Sequence, residues 1–244
     1  MTGKFDLRQN PFALLAIQPT ASNQGIVDAF EDALAERRAS ESDLNSAGQT
    51  LLKPKTRLEA ELTSLLDTPS GEAHAIFDRL RAGSDDLALR QLLPRLAPLS
   101  QLNLVTHLAT NEAVTAELLI SFVESLSEIE ISAVLATLER TRKSAGFISP
   151  DPASTREALH SMYAQHASSV LDAYQRREIA ARDVTQCVKA TLIQSDAGRI
   201  DALEILLRAD CLVVQVDLSR IRDDIEKAAA DLKTPFSSTA EQKL

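Results

Sequence analysis

The chain has 244 residues, 44% of them hydrophobic and 25% charged, and its 26 Lys and Arg against 35 Asp and Glu give a formal net charge of −9. That acidity, with aromatics at 4% and no basic stretch to offset it, argues against a nucleic-acid partner, since phosphate needs a positive stripe and single strands need stacking rings. The mixture rich in Leu, Ala, Glu and Arg packs aliphatic helices rather than sheets, and the length provides for one or two domains with a sizeable core.

The opening stretch, MTGKFDLRQNPFALLAIQP, carries only a short apolar run and lacks the pattern of a secretory signal. No window approaches the roughly 20 apolar residues of a membrane-spanning helix. A cytoplasmic location and no membrane partner are expected. Asn10 then caps a short helix over FALLAI, with Pro11 at its first position. A longer helix restarts after 20–23, its apolar face built from Ile26, Phe30, Ala33 and Leu34. Leu44, Ala47 and Leu51 define a third, interrupted at Pro54, and Leu58, Leu62, Leu65 and Leu66 a fourth.

Turn-forming residues cluster at 67–71, 83–86 and 146–154. They divide the chain into 1–68, a helical middle region 69–148, and a C-terminal long-helix region 149–244 ending in a polar, disordered tail. In the middle region the helical period runs through Ile76, Leu80, Leu87, Leu92 and Leu96, broken by Pro94 and Pro98. Asn111 is expected to cap the next helix, and Ser127 with Glu130 stands at capping-box spacing before a helix that stops at Gly146. Ser154 and Glu157 repeat that spacing ahead of Leu159, Met162, Ala167, Val170 and Leu171. Two further helices are expected at about 181–195 and 199–233. The CLVVQVDL run in the second could be a strand, but the apolar period on either side favours one long helix, suited to packing on a neighbour or a second copy of the chain. Cys187 and Cys211 stand far apart in apolar surroundings, as buried free thiols do.

The order of parts in the first section resembles the J-domain family of chaperone partners. The parts are a short aromatic-led helix from Phe12 to Ile17, a turn at Pro19 to Ala21, the Ala29-Phe30 pair, and Ala47 to Leu51 with Arg57 downstream. The resemblance covers about the first quarter of the chain. It implies a small antiparallel helical hairpin that docks on a seventy-kilodalton heat-shock chaperone and stimulates its ATPase. In that family a His-Pro-Asp tripeptide after the second helix carries the stimulation, and a basic face on that helix meets an acidic surface. Here the tripeptide position falls at Arg38-Ala39-Ser40, and the second helix carries Asp28, Glu31, Asp32 and Glu36 before Arg37 and Arg38. That charge is opposite to what docking on an acidic patch requires. The apolar positions would equally serve any helical hairpin.

Motifs of catalysis are missing from the sequence. The seven glycines, at 3, 25, 48, 71, 83, 146 and 198, are too widely spaced for a phosphate-cradling loop or a nucleophile elbow. Glu157 and His160 have the Glu-x-x-His spacing of di-iron bundles, but such a site needs a second pair that the chain lacks. His107 reads as a half-buried, hydrogen-bonded histidine. Asp85-Asp86, Asp223-Asp224 and Glu128 with Glu130 fall at helix starts or polar faces, and Arg140, Arg142 and Lys143 read as solvated cations near a helix end. No catalytic residue, metal or cofactor is expected.

The expectation is thus an all-α protein: a J-like hairpin lacking the tripeptide, followed by a multi-helix bundle or stack with a long C-terminal helix. Its expected role is a non-enzymatic interaction adaptor or atypical co-chaperone. The partner would be a protein, in one version a chaperone-like ATPase, with self-association through the C-terminal helix. The candidate interaction surface is Asp28, Glu31, Asp32, Glu36, Arg37 and Arg38. The alternative is a helical structural subunit of a larger complex.

Overall fold

The computed structural model describes residues 4–83, 86–111 and 115–175. The described residues form ten α-helices and no strand. The helices expected beyond 176, the CLVVQVDL run, Cys187 and Cys211 lie outside them. None of the described helices is long and apolar enough to cross a membrane.

The N-terminal part begins with a 3-10 turn at Leu7–Gln9, followed by α1 (Pro11–Leu15), α2 (Asn23–Ala35), α3 (Glu41–Leu52) and α4 (Pro54–Leu62). Side-chain caps set three of the starts. Asn10 Oδ1 accepts the Phe12 N–H at 2.9 Å, Ser22 Oγ that of Gly25 at 3.2 Å, and Ser40 Oγ that of Asp43 at 3.1 Å. Each satisfies one of the donors that a helix start leaves unpaired. Helices α1, α2 and α3 close on a small core of Phe12, Leu15, Ile26, Ala33, Leu44 and Leu51, with Phe30 and Leu34 packed at its edge.

Helices α5 (Ser70–Ala82), α6 (Asp86–Arg90), α7 (Pro98–Asn111), α8 (Ala116–Glu128), α9 (Ile131–Ala145) and α10 (Pro152–Gln175) complete the described chain, with a second 3-10 turn at Leu93–Arg95. A larger core runs continuously from Leu7 through Leu58, Leu62, Leu102, Val105 and Phe122 to Leu159, Tyr163 and Val170. It crosses residue 68, because α4 turns Leu58 and Leu62 into it. Leu87, which the helical period assigns to the apolar face, is 60% exposed on α6.

Helix α7 is buried almost all round, polar residues included. Those residues close hydrogen bonds that would otherwise be lost. Asn103 Nδ2 donates to the carbonyls of Leu62 at 2.8 Å and Ser64 at 2.7 Å, and Ser100 Oγ to that of Leu66. These carbonyls lie at and just past the end of α4, where no further helical turn supplies donors.

Three helix starts differ from the sequence expectation. Asn111 ends α7 and donates Nδ2 to the Phe5 carbonyl at 2.8 Å; Thr115 caps α8, its Oγ1 accepting the Leu118 N–H at 3.3 Å. Ser127 sits inside α8 and donates back to the Glu124 carbonyl, while α9 starts after Glu130 without a side-chain cap. Ser154 lies within the first turn of α10, its N–H given to Asp151 Oδ2 at 2.9 Å, so Asp151 supplies the capping oxygen. Capping-box spacing marks a helix start to within a few residues, whereas the cap is the residue whose backbone turns extended. The stop expected at Gly146 is present, with the glycine left-handed at φ 77°.

Candidate functional site

On α2, Asp28, Glu31 and Asp32 are exposed, and Glu36, Arg37 and Arg38 are exposed in the connection to α3. Gln24 Nε2 donates to Asp28 Oδ1 at 2.7 Å along the helix. The connection is held by its own charges. Arg38 Nε donates to Glu36 Oε2 at 2.7 Å, and Arg38 Nη1 reaches across to the Leu15 carbonyl at 3.0 Å, at the end of α1. The Arg38 hydrogen bond, with its charge, holds the Glu36 carboxyl below the ordinary value. Arg38, Ala39 and Ser40 are therefore all engaged locally. Arg38 ties the connection to α1, Ala39 packs against the small core, and Ser40 caps α3.

Where α4 meets α9 the structure buries three charges, a pair four residues apart on α4 and a third from 81 residues away. Arg57 and Glu61 are fully buried on α4, and Arg142 of α9 is 2% exposed. Arg57 Nε donates to Glu61 Oε1 at 2.8 Å and Arg142 Nε to Glu61 Oε2 at 2.8 Å, so the carboxylate bridges two guanidiniums. Arg142 is thus not the solvated cation its neighbours imply. The remaining donors go to backbone. Arg57 Nη2 bonds the carbonyls of Pro19 at 2.6 Å and Ala21 at 3.3 Å, and Arg142 those of Pro54 at 3.2 Å and Ile148 at 3.3 Å. The Phe147 ring lies 3.8 Å from the Arg57 guanidinium carbon, within cation–π range, and Phe12 lies at 5.5 Å. Burial lowers the Arg57 pKa, and the Glu61 hydrogen bond opposes that shift; a guanidinium stays charged in either case.

Two buried histidines tie α7 to other parts of the chain. His166 of α10 lies with Nε2 2.8 Å from Asn103 Oδ1. Because Asn103 spends its amide hydrogens on carbonyls, its oxygen must accept, which places the His166 proton on Nε2. Burial pushes this ring down to about 3, so it is neutral, and the Phe5 ring packs 4.3 Å from it. His107 is buried more completely than the half-buried expectation, with Nδ1 3.2 Å from the Leu7 N–H and 3.3 Å from Asp6 Oδ1. Burial disfavours the charged Asp6 carboxylate, but the contact with His107 and the donors of Arg8 outweigh it and hold the carboxyl below the ordinary range.

The other candidates do not converge. Glu157 and His160 are both exposed on α10, and among the described residues no group of three or more His, Cys, Asp and Glu could hold a metal. Glu128 and Glu130 are exposed, and Arg140 makes an exposed ion pair with Asp67 at 2.7 Å. The chain matches no protein-family model, no curated protein and no solved structure.

The three buried charges were missed because each looked ordinary by itself. Arg57 and Glu61 stand four residues apart, the spacing of a solvent-facing helix pair. The signal that distinguishes them is phase: Arg57 adjoins Leu58 and Glu61 adjoins Leu62, both of which face the core.

Proposed function

We propose that the chain is a cytoplasmic, non-enzymatic interaction adaptor, an atypical co-chaperone whose J-like module meets a protein partner through α2 and the connection after it. The observation supporting this reading best is the joint exposure of Asp28, Glu31, Asp32, Glu36, Arg37 and Arg38, with Val27 beside them 41% exposed. An acidic helix face selects a basic surface on its partner and speeds encounter with it. The positions that would carry stimulation in a J-domain are taken up by local structure, so the reading is docking without ATPase stimulation.

The test is affinity purification of the tagged full chain with mass spectrometry, alongside the Asp28→Lys, Asp32→Lys double variant. The full chain is needed because Leu58 and Leu62 of the first section belong to the larger core. Recovery of one chaperone-type ATPase, strengthened by nucleotide and lost in the variant, supports the reading. An assembly of fixed stoichiometry without a chaperone defeats it.

A second reading, a helical structural subunit, is favoured by the junction of Arg57, Glu61 and Arg142. It binds α4 of the hairpin section to α9 through buried charge, as suits a packing element. The same purification separates the two, and light scattering of the isolated chain reads out self-association.

A further inference from the structure

Between α4, the start of α10 and the non-helical segment 147–151 lies a groove of about 630 Å³, within the size range of pockets that take ligands or side chains of a bound segment. Its apolar lining comes from Pro54, Leu58, Pro150 and Ala158, and Ile148 stands beside them 88% exposed. No other large hydrophobic side chain among the described residues is so open.

Ile148 is also held in place. Its carbonyl accepts from Arg142 Nη1 at 3.3 Å, the preceding Phe147 ring lies against Arg57, and the Phe147 N–H donates to the Arg142 carbonyl at 2.8 Å. An apolar side chain presented from a fixed backbone binds without first being ordered, which lowers the cost of association.

Charge decides which occupant fits. The rim carries the exposed carboxylates of Glu59, Asp151 and Glu157 against the single exposed ammonium of Lys55. The backbone N–H and hydroxyl of Ser154 hold Asp151 below the ordinary carboxylate range. Arg142 reaches the floor, but it is engaged by Glu61 and by the carbonyls of Pro54 and Ile148, so it does not invite an anion.

We propose that this groove docks an extended segment of a partner protein in which an aliphatic side chain is flanked by Lys or Arg. The aliphatic group covers Leu58, Ile148 and Ala158, and the flanking cations meet Glu59 and Glu157. None of the α2 residues takes part, so the proposal stands or falls independently of the adaptor reading, and it would give an adaptor its second surface.

The test is selection of a random-peptide display library on the full chain, followed by binding of the synthetic winners to the full chain and to two surface variants, Ile148→Asp and Glu59→Lys with Glu157→Lys. Thermal melts confirm that both variants fold. The expected winners carry an aliphatic residue between basic ones and bind saturably. Their affinity falls at least about tenfold on Ile148→Asp, the loss of one buried aliphatic anchor. It falls on the charge variant as well, and weakens with added salt. No enrichment, acidic winners, or winners that bind both variants like the parent chain would overturn the proposal. So would a concentration-dependent dimer, seen by sedimentation, that Ile148→Asp dissolves, since the occupant would then be a second copy.

Discussion

The exposed face of α2 and the buried junction of α4 with α9 use the same residue types, Arg with Glu or Asp, to opposite ends. On α2 the carboxylates are solvated, and the Arg38 to Glu36 pair joins a guanidinium to a carboxylate that is 60% exposed. At the junction Glu61 has no contact with water, and both of its oxygens are given to guanidiniums. A solvated pair contributes little to stability and leaves its charge free for recognition, whereas a buried set must be complete. Position relative to the core, not composition, decides which of the two a charged residue does.

The strongest way to break this contrast is to remove one member of the buried set. Glu61→Ala leaves two guanidiniums facing each other in the core and should cost about 3–5 kcal/mol, measured by urea unfolding. Replacing Arg57, Glu61 and Arg142 together by Met, Leu and Met should recover much of that loss, because desolvation of the charges disappears with the charges themselves. A single substitution that cost under about 1 kcal/mol would place Glu61 with the ordinary surface carboxylates.

His166 gives a second, pH-dependent contrast between buried and solvated groups. Its folded-state pKa is lowered to about 3 by burial, whereas in the unfolded chain the ring titrates near its ordinary 6.5. As pH falls the unfolded chain takes up the proton first. Stability is therefore complete above about pH 6.5 and declines toward about pH 3, by at most about 1.4 kcal/mol per unit. Asp6, whose pKa is also lowered on folding, loses its contribution only at lower pH, below about 3.9, where the unfolded carboxyl begins to protonate. His166→Gln keeps a donor for Asn103 and removes the titration, so the decline between about pH 6 and 4 should flatten. An unchanged decline would mean that water reaches the ring.

Among the described residues the helices were readable in the sequence, and so were the outward charges of α2, because both depend on local pattern. Asn10 before Pro11 and Gly146 after α9 announce a start and a stop by chemistry confined to a few residues. The junction was not readable in the same way. Glu61 receives its second guanidinium from Arg142, 81 residues away, and nothing local to either position encodes that meeting. The same holds for Asn103, whose partners on α4 and α10 lie 41 and 63 residues away. The misplaced caps have the reverse cause: Ser127 and Ser154 match a local pattern, but the backbone turns extended at Glu130, and α10 starts at Pro152 with its capping oxygen from Asp151.

A smaller effect separates local structure from surface charge within the connection itself. Ser40→Ala deletes the cap of α3 and should cost about 1 kcal/mol in urea unfolding, with no change in net charge.

The smallest expected effect is the one that sharpens the comparison most. Asp28→Ala, Glu31→Ala and Asp32→Ala alter only solvated groups on α2 and should each leave unfolding free energy within about 0.5 kcal/mol of the parent chain. Removing all three lowers the negative charge of one face while the small core beneath, from Ile26 to Ala33, is untouched. If α2 is the docking face, the triple variant loses its partner with its melting transition intact, and the loss appears mainly as slower association that added salt no longer affects. A partner retained at full affinity would return these carboxylates to plain solvation and leave the buried junction as the chain's main use of charge. That outcome would favour the structural-subunit reading.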